Sequence, residues 1–151
     1  PYTLLLAGSL KDEGKMLYDF VKNNNLSDTI AFCGYIDEDI LPILYSGCEA
    51  FVYPSFYEGF GLPPLEAMSC KAPVITSNLT SIPEVTCNSS ILINPYDESD
   101  LENALVRLLN DKNLREELSE KGYKNSLNFT WKKTAEKTLS AYKSIIDSLP
   151  L

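Results

Sequence analysis

The 151-residue chain has no histidine and only two arginines, Arg107 and Arg115. Without imidazole it lacks the usual general base at neutral pH and the commonest nitrogen ligand for metals. Positive charge is also scarce. Thirteen lysines and arginines stand against 21 aspartates and glutamates, a formal net charge of −8 that argues against a nucleic-acid partner. The four cysteines, Cys33, Cys48, Cys70 and Cys87, form no C-x-x-C pair, so neither a zinc site nor dithiol redox chemistry is indicated. Each lies in or beside an apolar segment and is expected to be a small, buried, reduced thiol. No apolar run reaches the roughly 18 residues of a membrane span, and no secretory leader pattern is visible. The expected location is therefore cytoplasmic, and the N-x-[ST] sequons at Asn25, Asn78, Asn88 and Asn128 read as coincidences of an asparagine-rich composition.

What is present is an alternation of short apolar runs with longer amphipathic ones. The runs 2–7, 29–32, 48–53, 73–76 and 90–93 read as strands. Between and after them, 13–21, 37–45, 64–69, 99–109, 112–127 and 130–149 read as helices, with one helical turn over 81–85. Met16, Leu17, Phe20 and Val21 share one face of the first helix. The second has an acidic first turn and is shortened by Pro42. Apolar strands each followed by a helix predict an α/β fold, a Rossmann-like parallel sheet with helices on both faces. Such sheets bind ligands beyond the carboxyl ends of their strands. The segments that fall there are Gly8-Ser9, Gly34-Tyr35-Ile36, the stretch from Phe51 to Met68, and Ser77 to Glu84.

The stretch FVYPSFYEGFGLPPLEAM carries the chemistry. Pro63 and Pro64 are tolerated only in the first turn of a helix and so fix its start near 62–64. Between Glu58 and Glu66 there is no Ser, Thr, Asp or Asn to cap that start. The amides of Gly59, Phe60, Gly61 and Leu62, with Leu65 and Glu66 behind them, are left free. Glycines on both sides of Phe60 let a ligand approach the main chain. An uncapped helix start behind such a loop suits an anion, most naturally a phosphate. Ionised carboxylates repel phosphate and accept from hydroxyls. A ribose on one side and a hexose on the other, joined by a diphosphate, account for Glu58, Glu66 and the bare helix start together. Taken singly, Glu66 also fits a first-turn glutamate that favours the helix dipole, and Glu58 a solvated loop charge.

The run E-G-F-G-L-P-x-L-E-A-M, followed by the strand P-V-I-T and by S-x-P-E-V, resembles the retaining glycosyltransferases of GT-B fold, glycosyltransferase family 4. The likeness extends over essentially the whole chain, including F-C-G-Y-I, I-N-P-Y-D and L-R-E-E-L…F-T-W. The resemblance implies the C-terminal donor-binding half of such an enzyme, with Glu58 and Glu66 as its E-x7-E motif. Glu58 would face the donor sugar near the reacting centre and Glu66 the ribose. The amides of Gly59, Phe60, Gly61 and Leu62 would approach the sugar and diphosphate, Gly8 and Ser9 would lie at the donor site, and Tyr35 and Ile36 would flank the base. It implies no metal and no cofactor, with a nucleotide diphosphate sugar as donor substrate and transfer with retention. The acceptor, a glycan or a lipid-linked sugar, would be held by an N-terminal domain. Residues 1–151 would then be one nucleotide-sugar-binding domain truncated at its N-terminus, lacking the first strand and helix and the acceptor domain, and inactive alone. Peripheral association of the parent with the inner face of the membrane is also allowed by the resemblance.

Three departures and two rivals accompany this reading. The basic pair that neutralises the diphosphate in the family would lie upstream of residue 1. The family's Gly-Thr-Pro before the fourth strand is Lys71-Ala72-Pro73, and the glycine after P-E-V is replaced within Thr86-Cys87-Asn88. One rival is a non-catalytic nucleotide-sugar-binding module, or a subunit serving a separate catalytic partner. The other, a nicotinamide-dependent Rossmann enzyme, is disfavoured because AGSLKDEG has no G-x-G-x-x-G. In the C-terminal helix, Trp131 and Leu139 are expected to cover the domain's own sheet, and 145–149 to lack an intramolecular partner.

Overall fold

The computed structural model describes residues 1–9 and 12–148. The chain divides into two compact units, Pro1–Ile43 and Leu44–Leu151, with the division falling inside one helix. In the first unit, β1 (Leu4–Ala7) pairs in parallel with β2 (Ile30–Gly34), Leu4 opposite Ile30, and α1 (Asp12–Asn23) connects them. The apolar face expected on α1 is covered only at Val21. Met16, Leu17 and Phe20 are exposed, and it is Tyr18 that reaches a strand, its ring 5.6 Å from that of Phe32. Tyr18 and Val21 are three apart and so share a face, rotated from the one that hydrophobicity alone selects.

The helix α2 (Leu41–Gly47) begins four residues later than the acidic turn suggests. Asp37 closes a preceding turn, its carbonyl accepting from Ile40 N–H (2.9 Å) and Leu41 N–H (3.3 Å). The acidic residues 37–39 therefore precede the helix. Pro42 falls in the first turn, where its missing N–H has no intrahelical partner to lose.

The second unit holds β3 (Phe51–Tyr53), α3 (Leu62–Ser69), β4 (Val74–Ser77), α4 (Ile82–Thr86) and β5 (Ile91–Ile93). After them come α5 (Glu98–Asn110), α6 (Lys112–Ser126) and α7 (Trp131–Ser148). Its three strands are parallel in the order β3-β4-β5, with Ile75 paired to both Val52 and Ile91. Central β4 is flanked on both edges, and all four of its residues are buried, as its unbroken V-I-T run requires. Ile75 and Ile93 pack with Ala104 and Leu108 of α5 and Leu118 of α6 to form the core. Helices α3 and α6 approach closely because Gly122 has no side chain. A Cβ there would lie 3.0 Å from Met68 Cγ.

Two features of this unit differ from the sequence-based expectation. Helix α7 buries no residue: Trp131 is 82% exposed and Leu139 54%, so neither covers the sheet. Ile145 and Ile146 are exposed, in line with the expectation for the end of this helix, and Leu149 lies outside the described residues. All four cysteines are free thiols, but none is buried as expected: Cys33, Cys48 and Cys70 are half-buried and Cys87 is exposed. It follows α4 in the left-handed conformation (φ 46°), as does Asn88 (φ 60°), while Lys71 after α3 has φ 62°. These are the positions where the resembling family carries glycine, and the backbone keeps glycine's conformation without it.

Candidate functional site

Strand β3 ends at Tyr53, and residues 54–61 form the loop into α3. Gly61 is the residue at which the loop becomes a helix, with φ 100° and ψ 56°. A Cβ there would sit 2.5 Å from Ile82 Cδ1, so both the dihedral and the space call for glycine. Gly59 is different. Its φ is not positive, and a Cβ would meet nothing within 4 Å. The helix starts at Leu62 with prolines in its first turn and no side chain caps it. The amides of Gly59, Phe60, Gly61 and Leu62 have no acceptor among the described residues. Leu65 N–H, expected to be free, makes a long 3.4 Å bond to Gly61 O. Phe60 and Leu62 are both partly exposed, and the Phe60 ring meets Phe129 edge-on at 5.8 Å.

Glu58 is held by groups that sequence reading did not single out. Its Oε1 accepts from Tyr53 Oη at 2.7 Å and from Ser55 Oγ at 2.8 Å. Its amide donates to Thr80 Oγ1 (3.1 Å). Ser81 Oγ lies 3.0 Å from the carbonyls of both Glu58 and Phe60, so its single proton is shared between them. The loop after β4 thus clamps the loop after β3, and Thr80 adopts a left-handed φ of 55° within that clamp. A hydroxyl three residues before Glu58 was a visible signal; for Thr80 and Ser81 the sequence placed only their segment, Ser77 to Glu84, beyond the strand ends and named neither hydroxyl.

Glu66 is exposed and more loosely held, its Oε2 accepting from Tyr45 Oη at 3.4 Å. Both tyrosines have phenol pKa values pushed up to about 12, first by burial and then by the carboxylate each one faces. Phe51 joins them: its ring meets Tyr45 edge-on at 5.1 Å and stacks near-parallel on Tyr53 at 6.1 Å.

The remaining candidates belong to the first unit. Gly8 (φ 126°) donates its N–H to Gly34 O at 2.7 Å, which brings the carboxyl ends of β1 and β2 together. Ser9 and Tyr35 are exposed there and Ile36 is half-buried.

The two arginines have no part in this arrangement. Arg115 Nε pairs with Glu49 at 2.8 Å, and its Nη1 donates to the carbonyls of Leu108 (2.9 Å) and Leu109 (2.8 Å), closing the C-terminus of α5. Arg115 and Lys71 also line a shallow pocket with Glu49 and Pro73, which precede β3 and β4 at the opposite ends of the strands. Lys71 there is bound to Glu120 at 2.6 Å. Among the described residues no group of three or more His, Cys, Asp or Glu side chains could hold a metal ion, and no helix is long and apolar enough to cross a membrane.

Chain and fold are both similar to known proteins. The O-antigen chain mannosyltransferase B of Escherichia coli is 39% identical over 142 residues, covering 94% of this chain and 37% of that protein. Sucrose-phosphate synthase from Thermosynechococcus elongatus superposes with a TM-score of 0.81 at 31% identity, over 97% of this chain and 39% of that one. The C-terminal domain of a glycosyl transferase group 1 protein, LpcC, from Francisella tularensis superposes at 0.69 with 32% identity, over 78% of this chain and 62% of that one. The chain thus spans between a third and two-fifths of the length of the first two. Residues 1–125 match the family described as glycosyl transferases group 1, and the α/β architecture is that of the C-terminal, Rossmann-like half of GT-B enzymes. The chain belongs to the glycosyl transferases group 1 family, as a GT-B glycosyltransferase domain.

Proposed function

We propose that this domain binds the nucleotide diphosphate sugar donor of a retaining, metal-independent glycosyltransferase of family 4, whose acceptor is held by a further domain N-terminal to residues 1–151. The observation that carries this reading is the pairing of an uncapped α3 start, with four unpartnered amides, and a carboxylate fixed on the loop that leads into it. The amides of Gly59 to Leu62 offer hydrogen-bond donors to the sugar and diphosphate. Glu58, kept off the anion by its own charge, accepts from the hydroxyls of the donor sugar. Glu66, one turn into the helix, accepts from the ribose. In the first unit, Gly8, Ser9, Tyr35 and Ile36 lie at or just after the carboxyl ends of β1 and β2, and the family resemblance assigns the first two to the donor and the last two to its base.

In the transfer, the bond from the anomeric carbon to the diphosphate oxygen breaks with its electron pair on the diphosphate. The acceptor oxygen bonds to that carbon on the same face and gives up its proton to the departing diphosphate oxygen. Backbone dipoles aimed at the departing diphosphate stabilise it without reorganisation. The relative that is 39% identical is named as an O-antigen chain mannosyltransferase. A mannosyl donor and a growing cell-surface polysaccharide are therefore the first substrates to test, with the reaction on the cytoplasmic side of the membrane.

The test uses the complete enzyme with Glu66→Gln and Glu58→Gln. Glu66→Gln should weaken binding of donor and free nucleoside diphosphate about tenfold, because ribose contacts are made equally in ground and transition states. Glu58→Gln should lower kcat at least tenfold more than it weakens nucleotide binding. Identical profiles for the two variants would refute the division of roles.

A further inference from the structure

We infer that Tyr53 is a positioning residue that, with Ser55, saturates one oxygen of Glu58 and leaves the other to the substrate. This rests on the proposed role of Glu58. Both donors converge on Oε1, at 2.7 and 2.8 Å, while Oε2 receives no hydrogen bond from any described residue. A carboxylate held through one oxygen by two short, charge-assisted bonds cannot rotate without breaking both, so its second oxygen has a fixed direction.

Tyr53 is itself immobilised. It is the last residue of β3, its ring stacks on Phe51, and its carbonyl accepts from Thr76 Oγ1 at 2.8 Å on the neighbouring strand. The loop carboxylate is thereby tied to the sheet through Tyr53. The high phenol pKa keeps Tyr53 a donor throughout the physiological range.

Glu66 provides the internal contrast. Its tyrosine, Tyr45, stands 3.4 Å away and its carboxylate is exposed, so it is free to adapt. A group that follows charge development in a transition state benefits from being fixed beforehand, whereas one that only holds a ribose does not.

The experiment is Tyr53→Phe in the complete enzyme, which removes the hydroxyl and keeps the stacked ring. kcat should fall about tenfold, with nucleoside diphosphate affinity within about twofold of wild type. Tyr45→Phe should leave kcat within about twofold. Ser55→Ala removes the second donor from outside the aromatic row and should reproduce the loss, which protects the test should Tyr53→Phe fold poorly. A readout independent of activity is the Tyr53 Cζ resonance in 13C-labelled protein. Glu58→Gln should shift it and bring the ionisation of Tyr53 to lower pH. Wild-type kcat in Tyr53→Phe and Ser55→Ala, beside a disabled Glu58→Gln, would overturn the positioning role and leave the functional reading standing. Wild-type kcat in Glu58→Gln would overturn the functional reading and this inference with it.

Discussion

Gly59 and Gly61 flank Phe60 symmetrically in sequence, yet only Gly61 should resist substitution. An alanine at 61 has two separate costs. Its φ of 100° lies in the left-handed half of backbone space, unfavourable for an L-residue by roughly 1–2 kcal/mol. Its Cβ would also stand 2.5 Å from Cδ1 of Ile82, a fully buried side chain that would have to shift within the core. Overpacking of this kind costs about 1–3 kcal/mol. Together, Gly61→Ala should destabilise the protein by about 2–5 kcal/mol, a large share of the roughly 5–15 kcal/mol a domain has. Ile82→Val removes the Cδ1 and separates the two costs. Alone it should cost about 0.5–1.5 kcal/mol, and the double variant should be less destabilised than the sum by about 1–2 kcal/mol. Urea unfolding followed by far-UV circular dichroism is the assay, because Trp131, at 82% exposure, would report little by fluorescence. Gly59→Ala is the control and should change stability by less than about 0.5 kcal/mol. Strict additivity would refute the steric argument. A Gly61→Ala variant as stable as wild type would refute the backbone argument as well.

Arg115→Ala should cost about 2–3 kcal/mol in the same assay, chiefly by stripping two α5 carbonyls of a charged donor, and Arg115→Lys should not restore it because lysine cannot span both carbonyls and Glu49. Tyr45 and Tyr53 have folded pKa values raised above the ordinary 10 to about 12, so their stabilising contribution is complete below pH 10 and is lost as pH rises through 12. The stability difference between wild type and a Tyr45→Phe, Tyr53→Phe double variant should therefore shrink by on the order of 1–3 kcal/mol per tyrosine over that interval, and a constant difference would refute it. Leu139→Ala, on the uncovered face of α7, should change stability by less than about 0.5 kcal/mol; a loss of 2 kcal/mol or more would mean that the face is packed.

The sequence alone determined the order of strands and helices, because the signals involved are local. Short β-branched runs such as P-V-I-T are too short for a helix and suit strands buried on both faces, and Leu101, Leu105 and Leu108 repeat at helical spacing. Pro63, Pro64 and the want of a capping side chain placed the bare helix start within a residue or two of Leu62, where it lies. Tertiary structure decided what two distant segments do to one another. Whether Gly59 or Gly61 needed to be glycine depended on Ile82, and the glycine in the middle of α6 was explained only by Met68. The hydroxyls that fix the Glu58 loop come from Thr80 and Ser81; the sequence put their segment beyond the strand ends, but only the fold shows which hydroxyls meet which loop atoms. The same is true of the helix faces: hydrophobicity could name Met16, Leu17, Trp131 and Leu139 as apolar, but not which of them would find a partner. Spacing fixes local dihedrals through sterics and hydrogen bonding within a few residues. Burial, shared protons and close approach are properties of pairs, settled only when the sheet has brought the members of each pair together.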